Sequence, residues 1–108
     1  MPKSILKIDF DGRRLGAGKV RLLELIVETG SISAAAKKMN MSYRRAWLLM
    51  DELNHMFGHD VIETAAGGSG GGGATVTEFG AQVISVFREL ENETNVLAQK
   101  RLYSARVI

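Results

Sequence analysis

Apolar and polar side chains alternate from the start of the chain. In residues 4–10 (SILKIDF), Leu6, Ile8 and Phe10 fall on one side and Ile5, Lys7 and Asp9 on the other, which predicts a strand with one buried face. Asp11-Gly12 follows as a turn pair. Arg13, Arg14, Leu15 and the loose Gly16-Ala17-Gly18 read as irregular. The period then lengthens. Arg21, Glu24 and Glu28 mark a wet stripe, with Leu22, Leu23, Ile26 and Val27 opposite, and this predicts a helix over 19–29. Gly30 is a natural stop, because glycine enters the left-handed region at little cost.

Ser31 or Ser33 is expected to cap a short second helix, 33–39, whose Ala34, Ala35 and Ala36 allow close approach of another helix. Lys37 and Lys38 suit its negative end. Asn40-Met41 makes a turn, and Ser42 caps a third helix over 43–57. Ala46, Leu49, Met50, Leu53, Met56 and Phe57 form its apolar stripe, with Arg44, Leu48, Asp51 and His55 on the other side. DVIET (60–64) and ATVT (74–77) read as short strands around a glycine-rich hairpin tip, in which six of the chain's twelve glycines fall within 67–73. Thr77 caps a last helix over 78–102, about 25 residues and roughly 37 Å long. A globule of this size has a radius of gyration of only about 13 Å, so this helix is expected to overhang it. Val83, Phe87, Leu90, Thr94 and Leu97 follow a 4-3-4-3 spacing, the seam of a coiled coil with a second copy. Thr94 is its weak member, and the alternative is a helix folded back on its own core.

The fold class is therefore mostly α with a small β component: a winged helix-turn-helix over 1–76, followed by a long C-terminal dimerisation helix and tail over 77–108. The order is strand, helix, helix, turn, helix, hairpin, long helix, and two helices joined by a tight turn make a helix-turn-helix.

Charge sharpens this reading. The net charge of +2 conceals a block over 13–45 with eight basic residues against two acids, and a stretch over 46–93 with eight acids against Arg88 alone. A local +6 block points to a polyanion partner. Other classes recede. The absence of Cys excludes disulfides and thiolate chemistry. His55 and His59 are separated by Gly58, which should break the helix needed to aim both at a metal, so no metal site is expected. The glycine run is followed by Ala74-Thr75-Val76 with no Lys, so it is not a phosphate-binding loop. No nucleophile–base pair is visible, and neither enzyme activity nor a cofactor is expected. No apolar stretch long enough to span a membrane is present, and none of signal-peptide length precedes Asp9, so a cytoplasmic protein is expected.

In a helix-turn-helix the second helix enters the major groove with its first residues at base edges. Those residues here are Ser42, Tyr43, Arg44 and Arg45, with Trp47 one turn on. Arg carries a planar fork suited to guanine O6 and N7 or to phosphate. Ser42 offers a hydroxyl, and Tyr43 a hydroxyl plus an apolar ring. Ser33, Lys37 and Lys38 are further candidates for the DNA backbone; Lys19, Arg21, Arg13 and Arg14 are weaker ones. Each has a plainer reading: the cations as surface charge, Trp47 as packing between helix and strand. Asp51 and Glu52 would repel phosphates, confining contact to the first two turns. An alternative function is a protein-interaction module that uses the acidic face to pair with another regulator.

GSISAAAKKMNMSYRRAW (30–47) and GGGATVTEFG (71–80) resemble the amino-terminal DNA-binding domain of ModE-type molybdate-responsive transcriptional regulators, over about residues 4–100. The first fragment more loosely resembles the helix-turn-helix of LysR-type regulators. The resemblance implies a winged helix-turn-helix, a homodimer joined through the last helix, operator binding to double-stranded DNA, and contact roles for Ser42, Tyr43, Arg44 and Arg45. In that family a carboxyl-terminal oxyanion-binding region senses molybdate. The 108 residues here are expected to lack such a domain, and no small-molecule effector site is evident in them.

Overall fold

The structure is a computed structural model, and it describes residues 1–65 and 73–108. The tip expected over 67–73 lies, apart from Gly73, outside the described residues. The elements run β1 (Lys7–Phe10), β2 (Arg13–Gly16), α1 (Ala17–Thr29), α2 (Ile32–Lys38), α3 (Tyr43–Met56), β3 (Ile62–Thr64), β4 (Ala74–Val76) and α4 (Glu78–Ser104). β1 and β2 pair antiparallel, with Phe10 opposite Arg13 and Ile8 opposite Leu15; β3 and β4 pair antiparallel, with Ile62 opposite Val76.

β2 corrects the expectation of irregular chain after Asp11-Gly12. Both turn residues lie at positive φ, 51° and 96°. Two such residues in succession build the tight turn whose twist matches two antiparallel strands. Arg13, Arg14 and Leu15 are therefore the return strand, with Leu15 buried and both arginines exposed.

The helix ends follow from their capping residues. Ser31, not Ser33, caps α2, its hydroxyl accepting from Ala34 N at 3.1 Å. Ser42 does the same for α3 through Arg45 N, and Thr77 for α4 through Gly80 N. α2 stops in a Schellman turn: Asn40 N donates to Lys37 O and Met41 N to Ala36 O, both at 3.1 Å. That closure puts Asn40 at φ 55°, a left-handed position asparagine tolerates better than most residues.

The core lies between α1, α2, α3 and the first half of α4. Leu22, Leu23, Ile26, Ala35, Ala46 and Leu53 are almost wholly enclosed. Leu25 is also buried, whereas Val27, expected inside, is 61 % exposed. The α1 face is thus rotated slightly from the sequence reading. Phe10, Phe57 and Phe79 pack edge to face, with centroids 5.0 and 5.5 Å apart, tying the first hairpin to the end of α3 and the start of α4.

α4 plays two parts. Phe87, expected in an intermolecular seam, is buried in the chain's own core, and Val83 packs against that core. This half of the helix is thus folded onto its own domain, where the Phe87 ring is enclosed. The remaining helix runs past the core. The molecule is elongated, 60 × 29 × 23 Å with a radius of gyration of 16.2 Å. The N-terminal segment lies against this outer half, where Asn95 Oδ1 accepts from Ser4 N at 2.9 Å and Gln99 Nε2 donates to Pro2 O at 2.8 Å.

Candidate nucleic-acid interface

The tip of α3 is built from its cap outward. Ser42 Oγ accepts from Arg45 N at 3.1 Å, which orders the first turn and leaves the hydroxyl proton free to donate. Tyr43, Arg44 and Arg45 all project to solvent from that turn, while Ala46 beneath them is fully buried. Ala46 and Met50 anchor the helix, so the cationic turn cannot roll inward without losing the core.

Pairing of charges separates free cations from occupied ones. Lys19 Nζ is held by Glu52 and the Arg14 carbonyl, so its charge is already paired. Arg21 lies 3.6 Å from Glu24. Lys38 pairs with Glu28 at 3.3 Å, an exposed contact easily exchanged for phosphate. Arg44, Arg45 and Lys37 have no ion-pair partner among the described residues. Residues 66–72 contain only Ala, Gly and Ser, so they bring no carboxylate either. Unpaired guanidinium groups at a helix amino end, beside the partial positive charge of its backbone N–H groups, form a patch suited to a polyanion.

Of the remaining candidates, Ser33 is exposed in the first turn of α2 and Lys37 in its last. Trp47 is 44 % exposed and divides its surface: one side lines a cleft with Ile32, Met50, Asn54 and Ile62 at the base of the second hairpin, the other meets Tyr43 and Leu48. Both readings of this side chain, packing and contact, thus have a surface to act through. Asp51 and Glu52 have partners of their own, His55 Nδ1 at 3.7 Å and Lys19. His55 is used within its helix, its Nδ1 2.8 Å from the Asp51 carbonyl oxygen. No group of three or more His, Cys, Asp or Glu that could hold a metal occurs among the described residues.

Two further features reach the site through the fold. Arg13, far from α3 in the chain, lines a groove with Leu48, Asp51, Glu52 and His55, because the β1–β2 turn folds it back beside the helix. The signal was the Asp11-Gly12 pair. Asn54, which no local pattern marks, holds the second hairpin to α3: its Oδ1 accepts from Val61 N at 2.8 Å and Ile62 N at 3.1 Å, and its Nδ2 donates to Ile62 O at 3.2 Å. At the other strand Ala74 N donates to Gly30 O at 3.0 Å. The wing is therefore fixed to both α3 and the end of α1.

The match with known proteins follows the same geometry. Residues 18–81, from the start of α1 into α4, match the model of the bacterial regulatory helix-turn-helix protein, lysR family. The chain belongs to this family. Within the matched residues α2 and α3 form the helix-turn-helix, with α3 as its second helix. Among curated relatives of this LysR-type domain are the molybdenum transport protein ModE of Azotobacter vinelandii, 37 % identical over 82 % of this chain, and the molybdenum-pterin-binding protein MopB of Rhodobacter capsulatus, 41 % identical over 74 %. The DNA-binding transcriptional dual regulator ModE of Escherichia coli is 41 % identical over 64 %. The chain spans only 33 %, 30 % and 26 % of the length of these three relatives. No helix of the described residues is long and apolar enough to cross a membrane.

Proposed function

We propose that this chain is a cytoplasmic, sequence-specific operator-binding regulator of the ModE type that acts as a homodimer, each protomer placing α3 in a major groove. The observation that carries the reading is the exposed, unpaired Arg44–Arg45 pair on the Ser42-capped first turn of the second helix-turn-helix helix. Ser42, Tyr43, Arg44 and Arg45 meet the groove. Ser33, Lys37 and Lys38 flank it along the sugar–phosphate backbone, and Trp47 closes its edge. Two half-sites in the DNA would lie about 34 Å apart, or a multiple of this.

The dimer is proposed through the outer half of α4. Leu97, exposed, and Leu90 and Thr94, partly so, share one face there. Val83 contributes its open side, whereas Phe87 is occupied within its own core. An apolar groove of about 320 Å³ beside this face, lined by Phe10, Phe79, Val86 and Leu90, extends the surface a second copy would cover. Two of the three curated relatives carry molybdenum in their names, and we assign the regulated genes to molybdenum handling on that similarity.

Titration of operator DNA, selected from a random duplex pool, tests the recognition helix. Arg44→Ala and Arg45→Ala should each weaken binding by about 1–3 kcal/mol. The variant that loses a base contact relaxes specificity at one position; the one that loses a phosphate contact weakens all sequences alike and lowers the salt slope by about one. Wild-type affinity in both variants at moderate salt would remove α3 from the interface.

A further inference from the structure

The outward face of α3 carries more apolar surface than a solvated helix needs. Tyr43, Trp47 and Leu48 are 55 %, 44 % and 51 % exposed, and with Arg44 they line an open groove of about 480 Å³. Tyr43 and Trp47 lie one helical turn apart, as do Arg44 and Leu48, so a cation sits directly beside three large apolar groups. Among the described residues nothing covers this strip. Trp47 is partly committed to the cleft at the base of β3. Leu48 is not: it borders two open grooves, one with Arg44 and Trp47, the other with Arg13 and Asp51. One turn beyond Leu48 the face turns acidic at Asp51, which bars close approach to phosphates. Leu48 is thus the last large apolar side chain on this face before the acidic turn.

A partner for this strip must offer anionic or acceptor groups to Arg44 and, within a few ångströms, apolar surface to Leu48. The major groove of DNA meets both demands. Its base edges present acceptors, and the apolar group they display is the C5-methyl of thymine. We propose that Leu48, walled by Trp47, is a specificity residue that buries a thymine C5-methyl in each half-site of the operator. The inference rests on α3 being the recognition helix, as proposed above, and extends it to a residue and a base.

Replacing thymine by deoxyuridine tests this, because uracil keeps every hydrogen-bonding group and loses only the methyl. Each thymine of the selected operator is exchanged in turn, and binding of the wild-type chain is compared with that of Leu48→Ala. At one position per half-site, the exchange should weaken wild-type binding about fourfold, the value expected for one buried methyl group. At that same position Leu48→Ala should bind thymine and deoxyuridine alike. Leu48 is exposed, so this variant should melt with the wild type; the wild-type arm needs no folded variant at all. An operator fully substituted with deoxyuridine that binds as tightly as the thymine form overturns the proposal. So does a Leu48→Ala chain with unchanged affinity for every duplex, which would leave the patch to a protein partner. A pool that yields no bound duplex removes the DNA-binding reading itself, and this one with it.

Discussion

A methyl group added at Gly80 would run into the Val61 carbonyl oxygen and come within 2.6 Å of Val76 Cγ1. Both belong to the base of the wing, and Thr77 N and Oγ1 also reach for the Val61 carbonyl, at 3.0 and 3.3 Å. The first turn of α4 therefore docks on the second hairpin at backbone distance. Overpacking of this kind costs about 1–3 kcal/mol. Gly80→Ala should lower the unfolding free energy by that amount, read as a lower urea midpoint at unchanged slope, and an unchanged midpoint would show that the two elements slide apart freely. Gly80 lay inside a recognisable fragment, yet no periodicity marks it as special. Its requirement comes from a strand that arrives from elsewhere. Asn40 is the opposite case, since a polar residue between two capped helices announces a left-handed turn.

Among the elements, α1 and α4 are joined by charge as well as by Phe87. Arg88 donates from Nε and Nη2 to the two carboxylate oxygens of Glu24, at 3.1 and 2.8 Å, and from Nη1 to Glu91 at 2.6 Å. The paired Arg88 hydrogen bonds hold the Glu24 carboxyl below its ordinary value of 4.5, against the opposing effect of burial, and the two carboxylates raise the Arg88 guanidinium further. A carboxyl with a depressed folded-state pKa stabilises the fold fully above its unfolded value, and the contribution is lost as pH falls through the folded one. Glu24→Gln should cost about 1 kcal/mol near neutrality. The gap to wild type should close on acidification below about pH 4.5, as thermal melts at stepped pH would reveal. A gap that stays constant down to strong acid would mean the contact is steric rather than ionic. In the sequence Glu24 belongs to a wet stripe and Arg88 stands alone among acids; 64 residues of separation hide the pair. The helices and their caps were legible because each is a local pattern of hydroxyl, amide and apolar period. β2 was not, since two exposed arginines outweighed the turn pair that precedes them.

At the scale of the whole molecule, which extends 60 Å along its longest axis, the outer half of α4 offers Val96, Leu97 and Tyr103 to solvent, each more than half exposed. Apolar side chains spaced along one overhanging helix suit burial against a second copy. Leu97→Asp, which touches nothing in the core, should convert a sedimenting dimer to monomer and weaken operator binding well beyond the loss of one contact, because the two half-sites would then be bound independently. A wild-type chain that sediments as a monomer would end the two-half-site arrangement. The sequence by itself determined the order of the four helices and the second hairpin, the hydroxyl caps, the turn between α2 and α3, and the cationic first turn of α3. These depend on neighbours within about four residues. Tertiary structure alone decided which half of α4 is core, that Lys19 is spent on Glu52 while Arg44 and Arg45 stay free, that Arg13 sits beside Leu48, and that Gly80 admits no side chain. Each of those depends on atoms from distant segments meeting in space, where packing volume and charge pairing are settled by contact rather than by spacing.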